Sequence, residues 1–245
     1  MIKIFRNIRR KLLKENKTIG YLKYAVGEIL LVVIGILIAL QVNNWNEERK
    51  FKLQEALILR DIKSDLQASI LEVNDNIAFN SRTIKNNLKI ITYLEKDLPY
   101  DTSLDTVFGQ ITNWASPYFS YSAYESLKNK GLDLIENDRL RKDIVHLYDY
   151  EFANLIKDYD HSEWVLAQSV RYPIFNEHIR VSLDYDPTKP TSGKPNDYEG
   201  LKRNDAFINM LHKIVDTRNH GITKLNEVKF QIQNVIKGID QELKK

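Results

Sequence analysis

A continuous apolar segment near its start constrains this chain more than any other feature. Residues 25–42 contain one formal charge, Glu28, and residues 29–40 contain no polar side chain. A helix over residues 24–45 would rise roughly 31 Å at about 1.5 Å per residue, which matches a hydrocarbon core of about 30 Å. Aromatic residues of the kind that anchor a helix at both membrane surfaces flank it: Tyr21, Tyr24 and Trp45. We therefore predict a transmembrane helix over residues 24–45, with the lipid bilayer as its partner.

Three other interpretations of the apolar segment are less consistent with its flanks. A signal peptide has a short basic region and a small-x-small cleavage site, whereas more than twenty residues precede this segment and residues 38–41 (Ile-Ala-Leu-Gln) make a poor site. A buried helix of a soluble protein would leave the flanking charges and aromatic residues unexplained. An interfacial helix needs a polar face, which residues 29–40 lack.

The charge distribution predicts the orientation of this helix. Before it stand eight basic residues against Glu15 alone: Lys3, Arg6, Arg9, Arg10, Lys11, Lys14, Lys17 and Lys23. After it, the nearest basic residues are Arg49, Lys50, Lys52 and Arg60. This bias places the N-terminus in the cytoplasm. We predict a basic amphipathic cytoplasmic segment (residues 1–23), with a disordered basic tail as the alternative, and a periplasmic domain (residues 46–245) of an inner-membrane protein.

The same asymmetry argues against a nucleic-acid partner. The first 24 residues carry a net charge of +7, and because the whole chain carries +3, the remainder carries −4. Nucleic-acid binding would need basic charge spread over the folded domain. The chain contains no cysteine, which excludes disulfides, thiolate metal ligands and cysteine nucleophiles.

Small residues follow one face of the predicted transmembrane helix. Gly27, Leu31, Gly35 and Ala39 are spaced by four residues, a pattern that allows a second helix to approach closely. Glu28 lies about one turn inside the cytoplasmic edge, where a charge is costly. It either takes part in proton-linked or partner contacts, or reaches the headgroups and pairs with a lysine. We predict a homo-oligomer or a complex with another membrane protein.

The first fifty residues also resemble a known family. Residues 24–29 read Tyr-Ala-Val-Gly-Glu-Ile, residues 34–41 read Ile-Gly-Ile-Leu-Ile-Ala-Leu-Gln, and residues 43–47 read Asn-Asn-Trp-Asn-Glu. This string is similar to that of an uncharacterised family of Bacteroidota membrane proteins, and a looser similarity continues through residues 122–128 and 132–141. The resemblance implies a Gram-negative envelope and hence a periplasmic domain. It supplies no catalytic residues, because the family is a domain of unknown function.

Beyond the apolar segment the sequence predicts helices. Residues 43–98 contain neither proline nor glycine, and apolar residues recur there at steps of three and four: Ile62, Leu66, Ile70, Val73, Ile77, Ile84, Leu88, Ile91 and Leu94. This period predicts one long helix or two nearly coaxial ones. Asn80 fills a gap in the stripe, where it fixes the register of packing, marks a break or is solvated. The predicted fold class is all-α: the transmembrane helix continues into an elongated antiparallel helical bundle.

Capping residues divide the rest of the chain. Ser122 with Glu125 predicts a capping box for a short helix ending at Gly131. Asn137 or Asp138 is expected to cap a helix that Pro173 bends or ends near Arg171. Residues 184–196 predict a loop, with a short strand allowed at residues 180–183. Asn204 or Asp205 caps a final long helix, whose apolar stripe Gly221 interrupts without ending.

Motifs for catalysis or cofactor binding do not occur in the sequence. The five histidines lack a recognised metal-ligand spacing, and there is no phosphate-binding or dinucleotide-binding glycine motif. We therefore expect no metal, no cofactor and no enzymatic activity. The best candidate recognition surface is an aromatic loop: Trp114, Tyr118, Phe119, Tyr121 and Tyr124. Such a loop either lines a pocket or plugs the end of the bundle.

The leading functional hypothesis follows from this placement. It is a membrane-anchored periplasmic helical module that acts as a non-enzymatic adaptor, scaffold or sensor-like component. Two alternatives come from other classes: an accessory subunit of an ion-driven or secretion machine that uses Glu28, and an envelope enzyme with an unrecognised site near the aromatic loop or His146.

Overall fold

The computed structural model describes residues 18–182 and 188–245, apart from the side chains of Thr18, Tyr21 and Tyr24. Most of the predicted cytoplasmic segment and the side chains of the two tyrosine anchors therefore lie outside the described part. The chain divides into two compact units, residues 1–55 and residues 56–245. Nearly all described secondary structure is helical, with two short strands, so the prediction of an all-α fold is confirmed.

Helix α1 spans Thr18–Glu95, 78 residues without a break. The long helix expected from residues 43–98 is therefore a single one, and it also includes the apolar segment. Helix α1 ends before Asp97, which adopts a left-handed φ of 52°, and Pro99 follows. A proline has no backbone N–H to continue the helix, so the chain turns here.

The first unit contains the apolar part of α1. Among the described residues, one helix is long and apolar enough to cross a membrane, by length and composition, and a signal sequence would meet the same criterion. Its large apolar side chains between Ile29 and Leu40 are 47 % to 65 % exposed. None of the described residues of this unit covers them.

The second unit is built around the rest of α1 and the last helix. The connection after α1 carries a 3₁₀ turn (Thr102–Leu104) and helix α2 (Asp105–Gly109), and helix α3 (Ser122–Lys130) and a second 3₁₀ turn (Leu132–Leu134) follow. Helix α7 (Tyr198–Leu201) precedes the last helix, α8 (Asp205–Glu242). Three side-chain contacts show that α8 lies antiparallel to α1: Lys63 with Asp240 at 2.5 Å, Asn74 with Lys229 at 2.7 Å, and Glu95 with His212 at 3.3 Å.

A helical run from residue 138 to 178 packs beside these two helices. It consists of α4 (Asp138–His146), α5 (His161–Leu166) and α6 (Tyr172–His178), joined by π-helical turns at Leu147–Phe152, Leu155–Asp160 and Ala167–Arg171. Pro173 stands at the start of α6 and does not end the run. The wider π turn just before it leaves room for a residue that lacks an N–H donor.

A small hairpin closes one end of this unit. Strand β1 (Ile179–Ser182) pairs antiparallel with β2 (Ser192–Pro195), so the predicted strand exists and the expected loop is in part a strand. Gly109 of α2 lies against β2, and a Cβ there would stand 2.5 Å from the Thr191 carbonyl oxygen. The core at this end consists of buried apolar residues from α1, the connection after it, α6, the hairpin, α7 and α8. They are Ile90, Ile91, Leu94, Leu104, Phe108, Ile111, Phe175, Ile179, Leu201, Phe207, Met210, Leu211 and Ile214.

The helix caps agree with the sequence in three places and differ in one. Asn137 and Asn204 accept hydrogen bonds from the N–H groups of Leu140 (3.1 Å) and Phe207 (2.9 Å), and Gly131 ends α3 with a φ of 102°. The expected capping box at Ser122 and Glu125 is wrong. Asp65 of α1 caps α3 instead, because its carboxylate accepts from the Ala123 N–H (2.9 Å) and the Ser122 hydroxyl (3.1 Å).

The predicted stripe of α1 is also partly wrong. Leu88 is 45 % exposed, and the neighbouring Asn87 is buried in its place. The buried face of the helix follows steps of three and four through a series of polar residues: Ser69, Asn76, Asn80, Thr83 and Asn87. The predicted residues Ile62, Leu66, Val73, Ile91 and Leu94 are buried, but from Asn76 to Asn87 the buried positions of α1 are polar.

Candidate functional site

The π-helical turns position the most unusual group of side chains in the second unit. π turns are rare and occur frequently at functional sites. Glu163 and Arg171 are eight residues apart, more than the 7.2 residues of two α-helical turns. The wider turn at Ala167–Arg171 absorbs the difference, so both side chains lie on the same face of the run.

Glu163, Arg171 and Arg218 form a buried charged cluster. The Arg171 Nη2 group donates to Glu163 Oε2 at 2.5 Å and to the Glu163 backbone carbonyl at 2.9 Å. The other carboxylate oxygen, Oε1, lies 3.3 Å from Arg218 Nη1, an ion pair without hydrogen-bond geometry. Arg171 and Arg218 are 0 % exposed and Glu163 is 1 % exposed.

Neutral groups complete the coordination of Arg218. Its Nη1 group donates to Asn80 Oδ1 (3.2 Å) and to the Tyr159 hydroxyl (3.3 Å), and its Nη2 group donates to the Asn113 carbonyl (3.0 Å). Asn80 Nδ2 donates to the same Tyr159 hydroxyl at 2.9 Å. The cluster therefore joins α1, the connection before α3, the π-helical run and α8.

Gly221 makes room for this arrangement. The Tyr159 ring packs directly against the α8 backbone at this position, and a Cβ on residue 221 would stand 2.5 Å from the Tyr159 hydroxyl oxygen and closer still to the ring. The glycine that interrupts the apolar stripe of α8 is thus required by a close approach.

Burial controls the protonation of the cluster. Desolvation lowers the pKa of Arg171, an effect that Arg218 reinforces and Glu163 opposes. Burial likewise raises the pKa of Tyr159, although hydrogen bonds from Arg218 and Asn80 favour its ionised form. By formal charge, the cluster contains two basic side chains and one acidic side chain.

The aromatic loop covers one side of the cluster. The Trp114 ring lies 5.5 Å from the Arg171 guanidinium carbon, a cation–π distance, and 6.5 Å from the Tyr172 ring. The Ser116 hydroxyl donates to Asp160 at 2.5 Å, which fastens the loop to the π-helical run.

Three further aromatic residues of the loop region also pack on this run. Phe119 stacks on Phe152 at 4.0 Å, Tyr121 meets Tyr148 edge-on at 5.6 Å, and Tyr124 stacks on Tyr148 at 4.4 Å. The Tyr124 hydroxyl donates to Asp149 at 2.8 Å. Of the five aromatic residues singled out in the sequence, only Tyr118 is mostly exposed to solvent, with 78 % of its surface accessible.

The residues singled out in the apolar segment are all in α1. Gly27, Leu31, Gly35 and Ala39 are exposed, and a Cβ at either glycine would meet no other atom within 4 Å. Glu28 is half-buried, and Trp45 at the other end is exposed.

A groove with a volume of about 580 Å³ lies between α4 and α8 in the second unit. His146 stands at its edge, where its Nε2 lies 3.1 Å from Glu151 Oε1 and its ring stacks on Tyr150. Within residues 18–182 and 188–245, no group of three or more His, Cys, Asp or Glu side chains is placed to hold a metal ion.

Sequence reasoning did not identify the charged cluster. Arg218 carried the clearest signal, since it lies four residues after Ile214 on the stripe of α8, where an apolar residue is expected. Glu163 and Arg171 carried none, because the π turn that aligns them has no recognisable sequence pattern.

Fold and cluster together define an all-α bundle with a charged cluster inside an otherwise largely apolar core, preceded in the sequence by a candidate membrane helix. Comparison with family models places the chain more narrowly: residues 28–170 match the family of unknown function DUF6090, and the chain belongs to this family. The match includes Asn80, Tyr159 and Glu163 of the cluster region. Searches of curated proteins and of solved structures found no match.

Proposed function

We propose that the protein is an inner-membrane protein with a cytoplasmic N-terminus, whose periplasmic helical domain acts as a non-enzymatic adaptor or scaffold. One observation carries the proposal: the apolar side chains of residues 29–40 are exposed on every face of α1. In water this surface would be unfavourable at roughly 25 cal/mol per Å². A lipid bilayer, with other helices in it, is the environment that covers such a segment.

The contacts made by buried polar side chains of the second unit support the adaptor role. The three buried charged side chains of the cluster pair with one another and with neighbouring groups: Arg171 donates to Glu163, and Arg218 donates to Asn80. The small-residue face at Gly27, Gly35 and Ala39 offers a second helix close contact within the membrane. We propose a second copy of this chain as that partner.

Topology is tested with fusions. Alkaline phosphatase joined after residue 245 is expected to be active, because it folds in the periplasm, and green fluorescent protein at the same position is expected to be dark. The protein is expected to remain in the membrane fraction after carbonate extraction. A fluorescent C-terminal fusion, or release of the protein by carbonate, refutes the proposed placement.

Association is tested with a matched pair of substitutions. Gly35→Ile places a branched side chain on the small-residue face and is expected to abolish cross-linked dimers of the full-length protein in membranes. Val33→Ile, on the opposite face of the same helix, is expected to leave them unchanged. Equal dimer yields in the two variants refute the proposed contact.

A further inference from the structure

We propose that the groove between α4 and α8 binds a glycan, a chain of pyranose sugars with free hydroxyl groups. The groove has a volume of about 580 Å³, within the range of about 300–1,000 Å³ that ligand sites occupy. Its apolar lining consists of three buried side chains, Leu140, Leu147 and Val235, and of Gly238. The other lining residues are polar or charged. A ligand that fills this groove therefore needs polar groups along most of its length.

The first argument is a row of side-chain amides along α8. Gln231, Asn234 and Gln241 line the groove, and no hydrogen bond to another described residue uses their amides. From residue 231 to residue 241 the row extends about 15 Å, at about 1.5 Å per residue. Each amide carries donor hydrogens and an acceptor oxygen, and a hydroxyl group likewise both donates and accepts. A row of amides therefore matches the hydroxyl groups along a sugar chain.

The second argument is the small net charge of the lining. Both carboxylates already have a cation, because Lys245 lies 2.9 Å from Glu242 and Arg139 lies 4.0 Å from Asp143. Lys237 is the remaining charged residue of the lining. A polyanion such as a nucleic acid requires several basic groups. The groove therefore selects a ligand that is neutral or weakly acidic.

The third argument is a pair of exposed aromatic side chains beside the groove. Tyr150 is 55 % exposed and Phe230 is 60 % exposed. The Tyr150 ring stacks at 4.9 Å on the ring of His146, which lines the groove. Phe230 precedes Asn234 by four residues, so the two side chains are neighbours on α8. The C–H groups of a pyranose ring pack favourably on the electron-rich face of an aromatic ring.

The register of the helices places both aromatic residues at the same end of the groove. The run that begins with α4 lies antiparallel to α8. Three close contacts set its register: Asn137 with Glu242, Leu140 with Gly238, and Tyr159 with Gly221. Residue 150 therefore lies opposite the turn of α8 that contains residue 230. The two rings flank the groove from its opposite walls, where a sugar leaving the amide row would meet them.

A peptide matches the same groove less closely. Proteins bind peptides along a free strand edge, in an apolar groove for a helix, on aromatic grooves for polyproline, or with clusters of arginine. Both walls of this groove are helices, whose backbone groups bond within the helix away from its ends. Its centre is polar, and Arg139 is the only arginine in its lining. The side-chain amides therefore favour a sugar over a peptide.

Titration of the wild-type protein with tetrasaccharides provides the first test. The full-length protein is kept in a detergent without a sugar headgroup, and binding is measured by isothermal titration calorimetry. The probes are the tetramer of N-acetylglucosamine, maltotetraose and cellotetraose, with tetra-alanine as the peptide for comparison. We expect at least one sugar to bind with a dissociation constant below about 1 mM, and tetra-alanine to bind at least about tenfold more weakly.

The identity of the sugar that binds indicates the source of the glycan. Preference for the N-acetylglucosamine tetramer points to the amino-sugar strands of a cell wall, and preference for either of the other two points to a glucan. Failure of all three sugars to bind overturns the proposal, and so does peptide binding as tight as that of the best sugar. These measurements do not depend on the membrane topology proposed above.

Substitutions in the groove give the second test. Phe230→Ala removes one aromatic face and is expected to weaken sugar binding about fivefold. Gln231→Leu keeps a side chain of similar size without the amide, and a loss of about fivefold is again expected. Tyr118→Ala, at an aromatic residue that is 78 % exposed and outside the groove lining, is the control and should bind as wild type. Wild-type affinity in folded Phe230→Ala and Gln231→Leu overturns the proposal.

Discussion

Gly221→Ala is the substitution whose consequence the structure defines most clearly. The new methyl group would stand 2.5 Å from the Tyr159 hydroxyl oxygen and nearer to two ring carbons. Relief of this clash is costly, because residue 221 lies inside α8 and the buried Tyr159 ring packs against it. The ring must therefore move away, and its hydroxyl would leave Asn80 and Arg218.

Three contributions determine the size of the effect. Forcing a side chain out of a packed interior costs about 1–3 kcal/mol. The displaced hydroxyl leaves buried donors of Asn80 and Arg218 without a partner, at about 1–3 kcal/mol. Replacing glycine by alanine in a helix restores about 1 kcal/mol. We expect a net destabilisation of about 3 kcal/mol, which lowers the melting temperature by about 6–12 °C for a domain of this size.

The same helix provides the control. A Cβ on Gly238 would meet only the end of the flexible Leu140 side chain, at 2.9 Å. Gly238→Ala is therefore expected to be neutral or slightly stabilising. Unfolding of both full-length variants in micelles can be followed by near-ultraviolet circular dichroism. If Gly221→Ala melts at or above the wild-type temperature, the Tyr159 packing described here is wrong.

Three further changes test other parts of the second unit. Burial raises the pKa of Tyr148 above the ordinary value near 10, so the native state keeps a proton that the unfolded chain loses, and stability is expected to fall as the pH rises above about 10. The Tyr148 hydroxyl has no hydrogen-bond partner among the described residues; Tyr148→Phe should therefore leave stability at pH 7 nearly unchanged and weaken this alkaline loss, as denaturant titrations at several pH values would measure. Asp65→Ala removes the cap of α3 and should destabilise the protein by about 1 kcal/mol in urea unfolding; an unchanged midpoint would contradict the capping contact. A hydrogen bond from Asn137 lowers the pKa of Glu242, so its contribution is present above the unfolded value near 4.5 and lost as the pH falls; Glu242→Gln should flatten the acid limb of the stability profile, and an unaltered limb would refute the contribution.

Local patterns in the sequence were sufficient to predict the helices. The absence of proline and glycine over residues 43–98 indicated one long helix or two nearly coaxial ones, and a single helix runs through this stretch to Glu95. Asn137 and Asn204 cap the helices for which they were proposed. Each of these features depends on residues within one or two turns. Such short-range determinants are visible in a single sequence because backbone donors near a helix start need nearby acceptors.

Contacts between distant residues account for the errors. Ser122 has the sequence of a capping residue, yet a carboxylate from α1, 57 positions earlier, occupies that role. Leu88 fits the apolar period, yet Asn87 takes the buried position and Leu88 is 45 % exposed. A periodic pattern specifies a face only to within about one residue, and tertiary packing decides the rest.

The charged cluster is the extreme case of this limit, and it also explains why Asn80 is polar. Asn80 is neither solvated nor at a break: it is fully buried inside α1 and bonded to Arg218, 138 positions later. The buried positions of α1 and α8 repeat about every seven residues, so sliding one helix by a heptad along the other would still place buried positions opposite one another. Such a slide would separate Asn80 and Tyr159 from Arg218 and leave a buried guanidinium without its partners, at a cost of several kcal/mol. Because only one register satisfies Arg218, the cluster selects the native alignment among alternatives that hydrophobic packing alone cannot distinguish.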